Sequence, residues 1–162
     1  MPHKIKLLII DDEVKFLDSI AKRLELRDFD VTKAVNGREA IEVAREGKFD
    51  LALLDLKMPG MDGQQVLEIL KKDHKFLEVI ILTGHGSVNS AVECTKLGAF
   101  SYLPKPYEFD SLLETLKAAY EARLKKKFEK DQKRMDEISR LATGSSPLGI
   151  LRAMQELDDE EK

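Results

Sequence analysis

The sequence IKLLIIDD, residues 5–12, is an apolar run that ends in two aspartates, Asp11 and Asp12. Three further apolar runs each lead into a polar residue. They are Leu51–Leu54 before Asp55, Val79–Leu82 before Thr83, and Phe100–Leu103, which Lys105 follows after one proline. Continuous apolar runs of this length are typical of strands that are buried on both faces of a sheet.

Segments with helical periodicity separate these runs. After the first run, apolar residues recur at helical spacing at Leu17, Ile20 and Leu24. A shorter strand is predicted around Val31–Val35, before the Asn-Gly pair at residues 36–37. Strands that alternate with helices predict an α/β fold, a five-stranded doubly wound parallel sheet with helices on both faces and an extended C-terminal helix.

The helix that follows Thr83 has a weaker pattern than the others. Its predicted apolar face carries Val88, Ala91 and Val92. Cys94 lies somewhat off that face, which predicts a partly exposed and unreactive thiol.

The polar residues at the strand ends are suited to chemistry on phosphate. Ligands bind at the carboxyl edge of an open parallel sheet, so three carboxylates, a hydroxyl and an ammonium are expected in one cleft. Asp11, Asp12 and Asp55 offer the oxygen ligands that Mg²⁺ prefers. A divalent cation lets an anionic carboxylate approach an anionic phosphoryl group. Asp55 is therefore the candidate nucleophile that would form an acyl phosphate, with Lys105 and Thr83 as contacts for the phosphoryl oxygens.

This set of residues resembles the receiver domain of bacterial two-component response regulators, of the chemotaxis-receiver type. The resemblance covers roughly residues 4–122, in order and with family-like spacing. It implies a flavodoxin-like strand order of 2-1-3-4-5. The strings that carry it are LLIIDDE, LALLDLKMPGMDG, VIILTGHG and AFSYLPKPYE.

The resemblance implies a role for each residue around the metal. Asp55 matches the phosphoacceptor, which a phosphohistidine on a sensor histidine kinase charges. Asp11 and Asp12 match the acidic pair that holds Mg²⁺. Lys57 matches a position whose backbone carbonyl completes the metal shell.

It also implies how the phosphoryl group is detected. Thr83 matches the hydroxyl residue that follows the phosphoryl group, and Lys105 matches the lysine that contacts it. Pro106 matches a proline that a cis peptide usually precedes. Tyr102 matches the switch aromatic, although a strand aromatic is more often part of the core.

The sequence predicts three segments. Residues 1–122 form the receiver domain, and residues 123–143 form a helical extension that continues its last helix. Residues 144–162 form a short amphipathic segment with an acidic tail, for which disorder is expected at a chain terminus. An apolar stripe along the extension leaves three uses open: a homodimer through residues 87–143, docking of a partner, or a free extension.

Composition bounds the class of protein. The net charge is −3, and residues 117–140 concentrate 9 basic side chains against 5 acidic ones. That local excess has no groove-reading element beside it, so nucleic acid is not an expected partner. One cysteine and no apolar segment long enough for a signal peptide or a membrane span predict a cytoplasmic protein without membrane contact.

These features predict a phosphorylation-switched signalling protein that is not an enzyme. The residues after 122 are too few for a winged helix or an ATPase, so output is expected by protein–protein contact and not by a DNA-binding domain. The partner would be a downstream effector protein. In the alternative, a phosphorelay intermediate, it would be a histidine phosphotransfer protein. An aspartate-nucleophile phosphatase of the haloacid dehalogenase type is disfavoured, because Lys57 occupies the position of its second aspartate.

Overall fold

The computed structural model describes residues 3–84 and 88–142, together with Leu151, Met154 and Gln155. Strands and helices alternate along the chain. The strands are β1 (Ile5–Ile10), β2 (Phe29–Ala34), β3 (Leu51–Leu54), β4 (Glu78–Thr83) and β5 (Ser101–Pro104). The helices are α1 (Val14–Glu25), α2 (Gly37–Glu46), α3 (Gly63–Asp73), α4 (Val88–Lys96) and α5 (Phe109–Ala142).

All strand pairs are parallel, and the sheet order is β2-β1-β3-β4-β5. The predicted doubly wound sheet, its strand order and the long C-terminal helix are therefore confirmed. The order reverses direction between β1 and β3, which is the position where ligands bind in sheets of this kind. Asp11 directly follows β1, and Asp55 directly follows β3.

Two apolar clusters cover the two faces of the sheet. On one face, α1 and α5 pack through residues such as Leu17 and Leu116 against Leu7 and Ile9. On the other face, helices α2, α3 and α4 pack against Leu8 and its neighbours. Alternate residues of β1 thus enter opposite clusters, as the two-residue period of a strand requires.

Side chains near the first turns of α2 and α3 define where these helices begin. The Asn36 side chain accepts a hydrogen bond from the Glu39 N–H at 2.8 Å. The Asp62 side chain accepts one from the Gln64 N–H at 3.1 Å. Such caps satisfy backbone donors that the helix itself leaves unpaired.

The predicted face of α4 is wrong. Val88 is 81% exposed and Val92 is 47% exposed, whereas the Cys94 side chain is fully buried at 0%. Cys94 packs into the same cluster as α2 and α3, with Tyr102 against it. The prediction failed because a helix of 9 residues shows too few turns for its periodicity to identify the buried face.

We expect the Cys94 thiol to be inert in the folded protein. Burial raises its pKa, with a smaller contribution from the nearby Asp62 carboxylate, so less thiolate is present at neutral pH. Alkylation should therefore be slower by roughly a thousandfold in native buffer than in denaturant, where the thiol is solvated and its pKa is ordinary. Mass spectrometry of iodoacetamide-treated protein measures both rates. Equal rates in the two conditions would contradict the burial of Cys94.

The chain divides into two units, Met1–Arg123 and Leu124–Lys162, and the division falls within α5. In the first unit, Arg123 donates from Nε to Asp50 at 3.0 Å and from a terminal nitrogen to the Phe76 carbonyl at 2.7 Å. In the second unit, the side chains of Phe128 and Met135 are exposed.

The predicted tail segment lies almost entirely outside the described residues. Among those that are described, no helix combines the length and the apolar character that crossing a bilayer requires.

Candidate functional site

Three carboxylates meet at the carboxyl edge of the sheet. Asp11, Asp12 and Asp55 each offer an oxygen atom, and these atoms all lie within 4.8 Å of one another. Asp11 is 2% exposed and Asp55 is 3% exposed, while Asp12 is more open. The two buried aspartates lie side by side because β1 and β3 are neighbours in the sheet.

Backbone groups orient the two buried carboxylates. The Glu13 N–H donates to Oδ1 of Asp11 at 2.9 Å. The Lys57 N–H donates to Oδ1 of Asp55 at 3.2 Å. In each case the donor lies two residues after the aspartate, a local turn that restrains the side chain and leaves its second oxygen open to other partners.

Lys105 brings one positive charge to this cluster. Its Nζ donates to Oδ2 of Asp11 at 2.8 Å and lies 3.7 Å from Oδ2 of Asp55. The side chain is 18% exposed, so the ammonium is largely removed from water. The Lys105 N–H also donates to the carbonyl of Thr83 at 3.0 Å, which ties β5 to the end of β4. The peptide bond between Lys105 and Pro106 is cis.

Thr83 and Tyr102 occupy neighbouring strands beside the cluster. Thr83 is the last residue of β4 and is 1% exposed. Tyr102 pairs in register with Ile81, and its hydroxyl is buried without a hydrogen-bond partner among the described residues. Burial raises the pKa of this hydroxyl. The switch roles of Thr83 and Tyr102 stay predictions.

The charge balance of the cluster favours a bound cation. Burial raises the pKa of Asp11, and the Asp55 carboxylate adds to this effect, although the Lys105 hydrogen bond partly opposes it. Among the described residues, the three carboxylates lie near the Lys105 ammonium, which leaves negative charge in excess. A hard divalent cation with oxygen ligands would neutralise that excess, and the donor set fits Mg²⁺.

An open cleft adjoins the carboxylates. It has a volume of 390 Å³ and is lined by Asp12, Glu13, Lys57, Met58 and Pro59. The predicted metal ligands Asp12 and Lys57 thus border one water-accessible space. Such space suits Mg²⁺, which usually keeps several waters.

The loop after β4 is described only in part. A side chain at Gly84 would meet Cβ of Lys105 at 3.7 Å, an ordinary van der Waals distance. His85, the next residue of this loop, lies outside the described residues.

Phe16 is a residue of the site that the sequence pattern did not predict. Its ring centroid lies 3.9 Å from Nζ of Lys105, and the Tyr107 ring meets it edge to face at 6.3 Å. The available signal was an aromatic residue in the first turn of the helix that follows Asp11 and Asp12. Helical spacing predicts Leu17, Ile20 and Leu24 as the buried positions of α1, and Phe16 is not one of them.

Comparison with known proteins identifies a family. The model of the family described as "Response regulator receiver domain" matches residues 7–117. The transcriptional regulatory protein ZraR of Escherichia coli (strain K12) is 39% identical over 120 residues, which are 74% of this chain and 27% of that protein. A putative response regulator NtrX-like of Rickettsia typhi is 37% identical over 120 residues, 73% of this chain and 25% of that protein.

Solved structures give the same result. A CheY-like response regulator receiver domain protein from Methanospirillum hungatei has a TM-score of 0.74 and 31% identity, covering 76% of this chain and 99% of that structure. The receiver domain of NtrX from Brucella abortus has a TM-score of 0.67 and 30% identity, covering 71% of this chain and 98% of that structure.

These relatives contradict one prediction. Output without a DNA-binding domain, with nucleic acid not expected as a partner, does not agree with relatives named as transcriptional regulatory proteins. The prediction rested on the few residues after 122. This chain spans only about a quarter of such relatives, so those residues carry no information on what the remaining length does.

Proposed function

The chain belongs to the response regulator receiver domain family, and from this premise we propose that Asp55 accepts a phosphoryl group from a sensor histidine kinase. The observation that carries the proposal is the cluster of Asp11, Asp12 and Asp55, the first and last of them buried, with the Lys105 ammonium against it. Burying carboxylates this close together costs free energy. The cluster therefore has no evident role in stabilising the fold. The added charge of the phosphoryl group would switch the domain.

The proposed transfer is a direct displacement at phosphorus. A carboxylate oxygen of Asp55 forms the new bond to phosphorus as the bond from phosphorus to the histidine nitrogen of the donor breaks. The bonding electron pair leaves with that nitrogen, and the product is an acyl phosphate on Asp55. The Lys57 N–H restrains the Asp55 carboxylate for this approach.

A bound Mg²⁺ would supply neutralisation of charge between the carboxylate and the phosphoryl group. Its ligands would come from Asp11, Asp12 and Asp55, with the backbone carbonyl of Lys57. Lys105 would hold a phosphoryl oxygen through its ammonium, and Thr83 would donate its hydroxyl to another. Tyr102, which pairs beside β4, would change its packing when Thr83 moves.

The relatives direct the proposed output toward transcription. Because they are named as transcriptional regulatory proteins, we propose that phosphorylation of this domain controls gene expression.

Residues 1–122 would be the receiver. Residues 123–143 would be a helical extension that carries the exposed Phe128 and Met135, and a homodimer would form through residues 87–143.

Mg²⁺ should be required for phosphorylation. With a small acyl-phosphate donor, intact mass should increase by one phosphoryl group in Mg²⁺ and at a rate lower by about a hundredfold or more in EDTA. A phosphorylated histidine kinase serves as a second donor, since its phosphohistidine is the proposed natural one. Failure of both donors in Mg²⁺ would overturn the proposed function. Equal rates with and without the metal would overturn the role assigned to the three aspartates.

A further inference from the structure

The aromatic ring of Phe16 lies next to the Lys105 ammonium. The ammonium lies 3.9 Å from the centre of the Phe16 ring, within the range of a cation–π interaction. The same ammonium donates to Asp11 at 2.8 Å. It is therefore restrained by a carboxylate that directly follows β1 and by an aromatic face from α1, while Asp55 lies 3.7 Å away.

The Phe16 ring is itself held in place. Tyr107 contacts it edge to face, with an angle of 89° between the two rings. Phe16 also packs against the apolar cluster that α1 and α5 build on their face of the sheet. Together with Asp11 and Asp55, it also lines a small pocket at the ends of β1 and β3. The ring thus has little freedom to turn away from the ammonium.

The two restraints on Lys105 differ in charge. A carboxylate competes with the phosphoryl group for the ammonium, because both are anionic. An aromatic ring carries no formal charge, so it orients the ammonium and leaves its net charge for the phosphoryl oxygens. A lysine side chain otherwise loses rotamer entropy when it is fixed.

We propose that Phe16 is a positioning residue for phosphoryl transfer, whose ring face holds the Lys105 ammonium at the side of Asp55 where the phosphoryl oxygens arrive. This inference rests on the proposed function of Asp55 and adds a residue to it. In this role Phe16 acts through Lys105, without a contact of its own to the donor or the metal being required.

Substitutions at Phe16 separate this role from packing. Phe16→Leu keeps an apolar side chain and removes the aromatic face, whereas Phe16→Tyr retains the face. Replacement of Phe16 by fluorinated phenylalanines keeps the shape and progressively weakens the negative potential of the ring. Phe109 supplies the matched control, because the Arg23 guanidinium lies 3.9 Å over its ring on the same face of the sheet.

The experiment measures the rate of phosphorylation in Mg²⁺ by intact mass, with both donors, alongside thermal unfolding of every variant. Phe16→Leu should lower the maximal rate about 3- to 30-fold without raising the donor concentration at half-maximal rate. Phe16→Tyr should retain the wild-type rate. In the proteins with fluorinated phenylalanine, the rate should fall stepwise with each added fluorine. Phe109→Leu should react like the wild type.

A second readout does not depend on phosphorylation. The proton resonances on Cε of Lys105 should show a ring-current shift that Phe16→Leu removes and Phe109→Leu preserves. A wild type that gains no phosphoryl group from either donor would overturn the proposed function, and the inference with it. A wild type that reacts, with the fluorinated and Leu variants equally fast, would overturn the positioning role alone.

Discussion

Asp55→Asn should gain no phosphoryl group from either donor under conditions in which the wild type is fully modified. An amide nitrogen or oxygen is a far poorer nucleophile toward phosphorus than a carboxylate, and the acyl phosphate cannot form on it. The same substitution should raise the free energy of unfolding in metal-free buffer by about 1 kcal/mol. It removes one of three carboxylates that crowd within 4.8 Å, while Oδ1 can still accept from the Lys57 N–H.

The opposite signs of these two effects make the prediction specific. Asp50→Asn is the matched control, because Asp50 precedes β3 as Asp55 follows it. The Asp50 carboxylate accepts from the Lys6 N–H at 2.9 Å and from Arg123 at 3.0 Å. Its loss should therefore lower stability and leave phosphorylation intact. Intact mass and urea unfolding measure both quantities, and a phosphoryl group on the Asp55→Asn protein would show that another residue is the acceptor.

Gly63→Ala should destabilise the protein by about 3 kcal/mol, the upper part of the usual range for overpacking. A Cβ at residue 63 would lie 2.5 Å from Cα of Leu56 and 2.6 Å from its carbonyl oxygen. These are backbone atoms, which cannot rotate away as a side chain does. Leu56 lies next to Asp55, so the shift that relieves the clash should also displace the phosphoacceptor and slow phosphorylation.

Gly84→Ala controls for the loss of a glycine. Among the described residues, its added methyl would meet Cβ of Lys105 at an ordinary distance of 3.7 Å. Its stability should lie within about 0.5 kcal/mol of wild type. Urea unfolding of the three proteins checks the comparison. A Gly63→Ala protein as stable as Gly84→Ala would show that the loop after β3 can move to admit a side chain.

The success of the strand predictions has a local cause. β1 and β3 begin and end where their apolar runs predict, because both faces of these central strands are buried. The edge strand β2 was predicted at Val31–Val35 and extends over Phe29–Ala34. Only its last residue, Ala34, is fully buried, so its sequence carries a weaker pattern.

The sequence by itself determined which polar residues meet, since each follows a strand and parallel strands end at one edge. Only the tertiary structure decided that the Lys105 ammonium bonds to Asp11, lies farther from Asp55 and rests on the ring of Phe16. It also decided that α4 buries Cys94 instead of Val88. Periodicity reports how residues are spaced along one element. The rotation of a helix against the sheet, and the rotamers of distant side chains, depend on packing between elements.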